Sequence, residues 1–441
     1  GESHGFSRLD LVKHSLKTII NSVNESDYIS LVTFSEKAQL MMQPTQMMSS
    51  NKSSASDIID SMNPTNTTNI WDALRLGIQL ANNPEHIDKN ISILLFTDGE
   101  PNVNPPRGIL KTLEKSLEQN SLNCTINTFG FGYQLDSSLL RNISDMGLGA
   151  YSFIPDASMV GTIFVNFISN VLLTYSTNIT LLLTNDENDS KLTMDIGSIQ
   201  YGQDKDFIIE VSDANYKVEI KDSDISLIST DFTIENFEEF CYHLCRKEVM
   251  ELISKLLTIN SIPSHQSIAT SIELVNNSYQ ELLAKFGGSD KINKLLNDLQ
   301  STSDDEGQIL KSVSRVDWYE KWGKHYLLSI QNAHSLQNCN NFKDPGVQLY
   351  GGEIFNTLRD KIEDIFCKIP PPKPSVAIYS GYRGGTQSVA PTNMSSYMNY
   401  GGGCFDGNSL VTMNDGTKLP VNKLSKNDII IGGARVICIV K

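Results

Sequence analysis

Between residues 8 and 174 the chain alternates two hydrophobic periodicities, and few folds accept that alternation. Leu9, Val12, Leu16, Ile19 and Val23 recur at helical spacing, and the β-rich run Tyr28 to Phe34 follows. The same order returns three times: Asn69 to Ala81 before Ile91 to Phe96, Leu110 to Leu117 before Thr125 to Phe131, and Ser138 to Met146 before Ala150 to Ile154. An apolar helix, Met159 to Tyr175, closes the series. Helix and strand in strict succession predict βα units and a mainly parallel sheet. Sheets of this kind gather ligand-binding loops at the carboxyl ends of their strands.

Two loops fit that position. Pro64-Thr65-Asn66-Thr67-Thr68-Asn69-Ile70-Trp71-Asp72-Ala73-Leu74 is a polar loop running into a helix, and Leu94-Leu95-Phe96-Thr97-Asp98-Gly99-Glu100-Pro101-Asn102 ends a buried strand. Both loops place oxygen donors beside helix or turn starts, and a hydroxyl and a carboxylate completed by water suit a hard octahedral ion such as Mg²⁺. The plainer alternatives are that Thr68 caps the following helix and that Asp98-Gly99 only turns the chain. Together the two loops resemble the von Willebrand factor A family. The resemblance covers residues 1–175 and implies a doubly wound, Rossmann-like α/β domain with a metal-ion-dependent adhesion site, in which Thr68 and Asp98 stand for the family's Thr and Asp. The family's third element, Asp-x-Ser-x-Ser, ends the first strand just before the step at which Gly1-Glu2-Ser3 begins here. The sequence is therefore expected to start after the first strand and that loop. Two protein oxygens alone would then hold Mg²⁺ or another divalent cation weakly, because they cannot offset its dehydration.

Past residue 175 the texture changes. Alternating stretches such as Ile179 to Leu183 and Phe207 to Val211, separated by Asn/Asp/Gly/Ser clusters, predict a small antiparallel β-sandwich over 176–230. Phe237, Phe240, Leu244, Met250, Ile253 and Leu257 open a helical bundle over 231–341. Residues 342–403 read as a linker, with Pro370-Pro371-Pro372-Lys373-Pro374 as a stiff spacer and a Gly/Ser/Tyr-rich tether after it. From Cys404 the chain changes again: Gly403-Cys404-Phe405-Asp406-Gly407-Asn408-Ser409-Leu410-Val411, then Asp415-Gly416-Thr417-Lys418-Leu419-Pro420-Val421, resemble the opening of an all-β Hint domain over 404–441. That resemblance implies Cys404 as a nucleophile on the Gly403 carbonyl, a step within reach of a thiolate. The family's activating Thr-x-x-His block does not occur before Lys441. The tract Trp318 to Tyr326, with Cys339 to Gln348 and Tyr350-Gly351-Gly352, resembles the stretch joining the two modules in vWA-Hint (Vint) proteins, some of which carry ubiquitin-ligase modules. The plainer account is that Trp318 and Trp322, at i and i+4, pack on the helical bundle.

Charge and cysteine usage prune the rest. With 36 basic against 51 acidic residues the formal charge is −15, which disfavours a phosphate-seeking surface and so nucleic acid. Seven cysteines in 441 residues have neither the density nor the parity of a disulfide framework, which points to a reducing, intracellular and specifically cytoplasmic setting. Cys241, His243 and Cys245 lack zinc spacing and read as core residues. No stretch is long enough for a membrane helix, and phosphate-loop, nucleophile-elbow and His-Glu-x-x-His signatures are missing, so a conventional enzyme is not expected. The expected function is metal-dependent binding of a protein partner through an acidic side chain. Alternatives are a self-processing precursor started by Cys404, or the substrate-binding part of a ubiquitin-ligase-like protein.

Overall fold

The structure, a computed structural model, describes residues 6–372 apart from 66, 87–88, 120–123, 186–189, 211–216, 222–225, 230–235, 301–307 and 341–343. It also describes residue 394, and 410–430 apart from 416, 421–422 and 425–427. Residues 1–398 make one compact unit and 399–441 a second.

The alternating part of the first unit runs α1 (Arg8–Ser22), β1 (Tyr28–Phe34), β2 (Ala38–Gln46), α2 (Ser49–Ser61), α3 (Ile70–Ala81), β3 (Ile91–Thr97), α4 (Ile109–Gln119), β4 (Cys124–Phe131), α5 (Ser137–Met146), β5 (Tyr151–Ile154) and α6 (Val160–Leu172). Strands β3, β4 and β5 pair in parallel, with Ile91 opposite Cys124 and Thr128 opposite Tyr151. β4 is buried from end to end because helices cover both its faces. The period-2 alternation sorts its side chains: Phe129 and Phe131 join a core with α1 and α6, while Ile126 joins one with α3, α4 and α5. Phe96, Phe129 and Phe164 stack at centroid separations of 4.6–5.3 Å on the α6 side. Strands β1 and β2 form an antiparallel hairpin, and among the described residues it is not hydrogen-bonded to the three-stranded sheet. A capping box, Ser7 with Asp10, starts α1.

Next come β6 (Thr174–Asn185), β7 (Ser190–Gln200), β8 (Lys217–Lys221) and β9 (Ser226–Ser229), paired antiparallel in the order β7-β6-β8-β9. This corrects the expected sandwich, since the described strands make one sheet. Phe207 to Glu210, read from their alternation as part of a strand, belong to none. The backbone just before them is engaged elsewhere: Asp206 N–H donates to Gln337 Oε1 at 3.0 Å, and its carbonyl accepts from Gln337 Nε2 and Arg246 Nη2. Side chains of the helical region therefore take hydrogen bonds that a neighbouring strand would need.

The helices that follow are α7 (Phe237–Ile259), α8 (His265–Phe286), α9 (Asp290–Leu299), α10 (Gln308–Ser312), α11 (Val316–Trp318), α12 (Lys324–Leu336), α13 (Pro345–Gln348) and α14 (Glu353–Lys368), with a π-helical turn over Tyr319–Gly323. Helices α7 to α10, α12 and α13 share one core. The bundle therefore continues past residue 341, and the linker expected over 342–403 is corrected for its helical part, Pro345–Gln348 and Glu353–Lys368, while the Gly/Ser/Tyr-rich tether lies almost wholly outside the described residues. Gly346 N–H donates to buried Asp298 at 2.8 Å, which ties α13 to α9. Helix α14 instead returns to the α/β core: Phe355, Ile362 and Phe366 are buried, and His14 Nε2 lies 2.8 Å from the Phe366 carbonyl. The apolar series Phe355, Leu358, Ile362 and Phe366 has helical spacing. Among the described residues no helix is long and apolar enough to cross a membrane.

Helix α12 joins the bundle to the sheet. The outer edge of β5 presents backbone groups, and side chains from α12 meet them: Tyr151 N–H donates to Asn332 Oδ1 at 3.0 Å and Phe153 N–H to Ser329 Oγ at 3.4 Å. His325 Nδ1 and Tyr151 Oη both reach Ser137 Oγ, at 2.5 and 2.7 Å, in a fully buried cluster. Trp322 packs against the core of α3 to α5, not only on the bundle as the i, i+4 spacing with Trp318 implied. The second unit contains the hairpin β10 (Leu410–Thr412) and β11 (Lys418–Pro420), whose turn is held by Thr417 donating to Asp415.

Asn332→Ala strands a buried N–H and should cost about 1–3 kcal/mol; urea unfolding would measure it, with hydrogen exchange at the Tyr151 amide as the local readout. Burial pushes His14 and His325 down to about 4 from 6.5. The unfolded rings take up protons below about pH 6.5 while the folded rings do not, so the unfolded state holds more protons and stability falls with pH, at up to about 2.7 kcal/mol per pH unit for two groups. Burial also lowers His334 to about 4 and raises its neighbour Asp298, and these two shifts act on stability in opposite senses as pH falls. Denaturation midpoints at pH 7.5, 6 and 5 should drop accordingly, and His14→Gln should flatten the profile.

Candidate functional site

The two loops named from the sequence meet at one rim of the parallel sheet. Asp98 follows the last residue of β3, and the Thr97 hydroxyl turns the chain there by donating to the Gly99 carbonyl at 3.1 Å. The side chain of Asp98 is 62% exposed. On the other loop, Asn69 and not Thr68 caps α3: its Oδ1 accepts from the Asp72 amide at 3.0 Å. Asn69 also donates to the carbonyls of Ser35 and Glu36, anchoring the loop to the β1–β2 turn. The Thr68 hydroxyl thus takes no part in the cap. Asp72 next to it is held below the usual carboxylate range, first by the Ala38 amide and then by Arg75.

A reciprocal pair of bonds latches the loops together. Thr68 N–H donates to Asn102 Oδ1 at 2.9 Å, and Asn102 N–H donates to the Thr68 carbonyl at 3.1 Å. The Thr68 Oγ1 lies 4.0 Å from where a Cβ on Gly99 would stand, so hydroxyl and carboxylate loop are neighbours. A third participant carried no sequence signal. Arg8, in the first turn of α1, places Nη1 3.3 Å from both Asp98 Oδ2 and the Asp98 carbonyl. The chain makes room for this guanidinium at Gly132, with φ +80°, where a Cβ would come within 2.9 Å of Arg8 Nη2. Half exposed, the Arg8–Asp98 pair contributes at most about 1 kcal/mol. Its chief effect is to set one positive charge against the carboxylate.

The remaining sequence-named residues fall elsewhere. Cys404 and Gly403 lie outside the described residues. Cys245 is buried and its thiol is pushed up to about 12, an inert core position, while Cys241 is half-buried. The described residues hold one group of three side chains with metal-ligand chemistry, Asp206, Glu239 and His243, and it is separate from the Thr68–Asp98 rim.

Comparison with known proteins agrees with this architecture. Residues 2–165 match the family model for the von Willebrand factor type A domain, and residues 289–364 match the model described as VWA / Hh protein intein-like. The chain is 29% identical over 176 residues to the uncharacterized protein YfbK of Escherichia coli (strain K12), covering 39% of this chain and 30% of that protein. It is 26% identical over 114 residues to the probable E3 ubiquitin-protein ligase WAVH2 of Arabidopsis thaliana, covering 25% of this chain and 16% of that one. The chain thus spans less than a third of the length of either relative. Among solved structures, a von Willebrand factor type A protein from Catenulispora acidiphila superposes with a TM-score of 0.50 at 13% identity, covering 74% of this chain and 84% of that one, a likeness of fold. Asn102→Ala should open the latch without unfolding the domain: the loss of about 1 kcal/mol predicts roughly fivefold faster exchange of the Thr68 amide, readable by NMR.

Proposed function

We propose, from the premise that residues 2–165 are a von Willebrand factor type A domain and 289–364 a VWA / Hh protein intein-like segment, that the chain is a protein-interaction module whose cation-assisted face is the Thr68–Asp98 rim. The observation that carries the reading is the reciprocal Thr68–Asn102 latch, which sets a hydroxyl beside an exposed carboxylate loop. That donor set is hard oxygen and open to solvent, and it fits Mg²⁺ or a similar ion that keeps several waters. Thr68 and Asp98 would hold the ion, and a partner's acidic side chain would replace one water. When bound, the ion supplies a positive centre for that carboxylate. Arg8 opposes it, since its guanidinium already stands 3.3 Å from the Asp98 carboxylate and repels a second cation. Cation binding by this chain is therefore weak, and the positive charge of Arg8 itself favours acidic partners. Among the described residues Cys124, Cys241, Cys245 and Cys367 are free thiols, which supports an intracellular setting.

Titration calorimetry with Mg²⁺ and Mn²⁺ tests this, run in an Asp206→Asn background so that the second cluster does not contribute. Weak binding that Asp98→Ala or Thr68→Ala abolishes and Arg8→Ala strengthens is the expected result; equal binding by Asp98→Ala would remove the metal from the rim.

A second reading concerns 399–441. A hairpin follows Cys404 closely, at Leu410–Thr412 and Lys418–Pro420, and the earlier segment 289–364 is matched by a model described as VWA / Hh protein intein-like. Both support Cys404 as the start of self-processing in a longer protein, its thiolate attacking the Gly403 carbonyl so that the Gly403–Cys404 C–N bond breaks, a thioester forms and the Cys404 nitrogen takes up a proton and leaves as an amine. A role in ubiquitin transfer rests on the likeness to WAVH2 alone.

A further inference from the structure

A buried histidine facing two carboxylates stands apart from the rim. His243, on α7, is 5% exposed, and neither ring nitrogen meets a partner in hydrogen-bond geometry. Its Nε2 nevertheless lies 3.2 Å from Asp206 Oδ2 and 3.3 Å from Glu239 Oε1. A tetrahedral ion with bonds of about 2.0–2.1 Å separates its ligands by about 3.3–3.4 Å. The two nitrogen–oxygen separations therefore suit ligands grouped about a common ion, and all three ligand atoms lie within 4.8 Å of one another.

From this geometry we infer that Asp206, Glu239 and His243 form a binding site for a zinc-class divalent ion, independent of the Thr68–Asp98 rim. The positions are built. Glu239 and His243 are i and i+4 on α7, hence on one face. Asp206 comes from the chain after β7, and its backbone is clamped on both sides, N–H to Gln337 Oε1 and carbonyl to Arg246 Nη2 at 2.6 Å and Gln337 Nε2 at 2.9 Å. Lys291 holds Glu239 through Oε2 at 2.6 Å, which leaves Oε1 turned to the histidine. Imidazole with two carboxylates is a nitrogen–oxygen donor set that favours zinc over magnesium.

The charges allow it. Arg246 and Lys291 offset part of the carboxylate charge, and an ion of charge +2 with three protein ligands leaves a fourth position for water. Access comes from the carboxylate side, where Asp206 and Glu239 have side chains 44% and 29% exposed. Because one ligand lies in the extended chain after β7 and two lie on α7, the ion would also clamp that segment to the helical bundle.

Zinc titration of the full chain tests the inference, using protein stripped with chelator, excess Mg²⁺ to fill any hard-ion site, and a chromophoric zinc indicator as competitor. One zinc per chain is expected, with affinity reduced more than about tenfold by Asp206→Asn and by His243→Ala and unchanged by Asp98→Ala. Zinc should also raise the melting temperature of the wild type and leave that of Asp206→Asn unmoved; since Asp206 is partly exposed, that variant keeps its fold and guards against a trivial loss. Wild-type protein that takes up no zinc, or an Asp206→Asn variant that binds as well as wild type, overturns the site.

Discussion

The free edge of β5 is the constraint on which the first unit depends. A four-residue strand that pairs with β4 on one side leaves backbone groups on the other, and burial forbids leaving them without partners. Side chains answer for them, Asn332 and Ser329 of α12, supplied from some way along the sequence. That solution commits the helical region to the α/β domain. His325 then closes on Ser137 and Tyr151, and Arg141 on the Leu328 carbonyl, so the contact is polar and directional as well as apolar. A serine and a histidine in hydrogen-bond contact would elsewhere suggest nucleophilic chemistry; here full burial makes the pair a joint.

The same logic explains why α14 belongs to the first unit. Helix α14 packs Ile362 and Phe366 into the core formed with α1 and α6, and the His14 ring meets Phe366 edge-on at 4.6 Å while bonding its carbonyl. The segment after α13 thus closes one face of the sheet, and α12 closes its edge. The VWA / Hh protein intein-like segment at 289–364 is in this light a structural partner of the von Willebrand factor type A domain, because α12 and α14 both lie partly or wholly within it.

The Thr68–Asp98 rim depends on a smaller device. Two loops that approach from different strands would each be mobile alone, and the reciprocal Thr68–Asn102 bonds hold them as a pair. The guanidinium of Arg8, admitted by a glycine with positive φ, then sets the electrostatics of Asp98. The Asp206–Glu239–His243 group differs in kind: softer donors, a buried ring, and positions fixed by Gln337 and Arg246.

Much of the α/β part was legible from local pattern. The helical spacing of Leu9 to Val23 and the apolar runs at Ile91 to Phe96 and Thr125 to Phe131 are written in consecutive residues, so periodicity alone determined helix, parallel sheet and the rim that would carry Thr68 and Asp98. The hairpin partner β2, the helix α2 and the role of α14 were not read, because hairpin pairing and burial against α1 and α6 depend on neighbours that local pattern does not name. Likewise the alternation of Phe207 to Val211 announced a strand, and Gln337 and Arg246, more than a hundred and some forty residues away in two cases of side chain meeting backbone, took the hydrogen bonds just before it. Cys241, His243 and Cys245 looked like core positions by spacing; only folding brought Asp206 to the histidine. Local hydrophobic order determined which elements form, and long-range satisfaction of buried polar groups decided how they close on one another and which side chains meet.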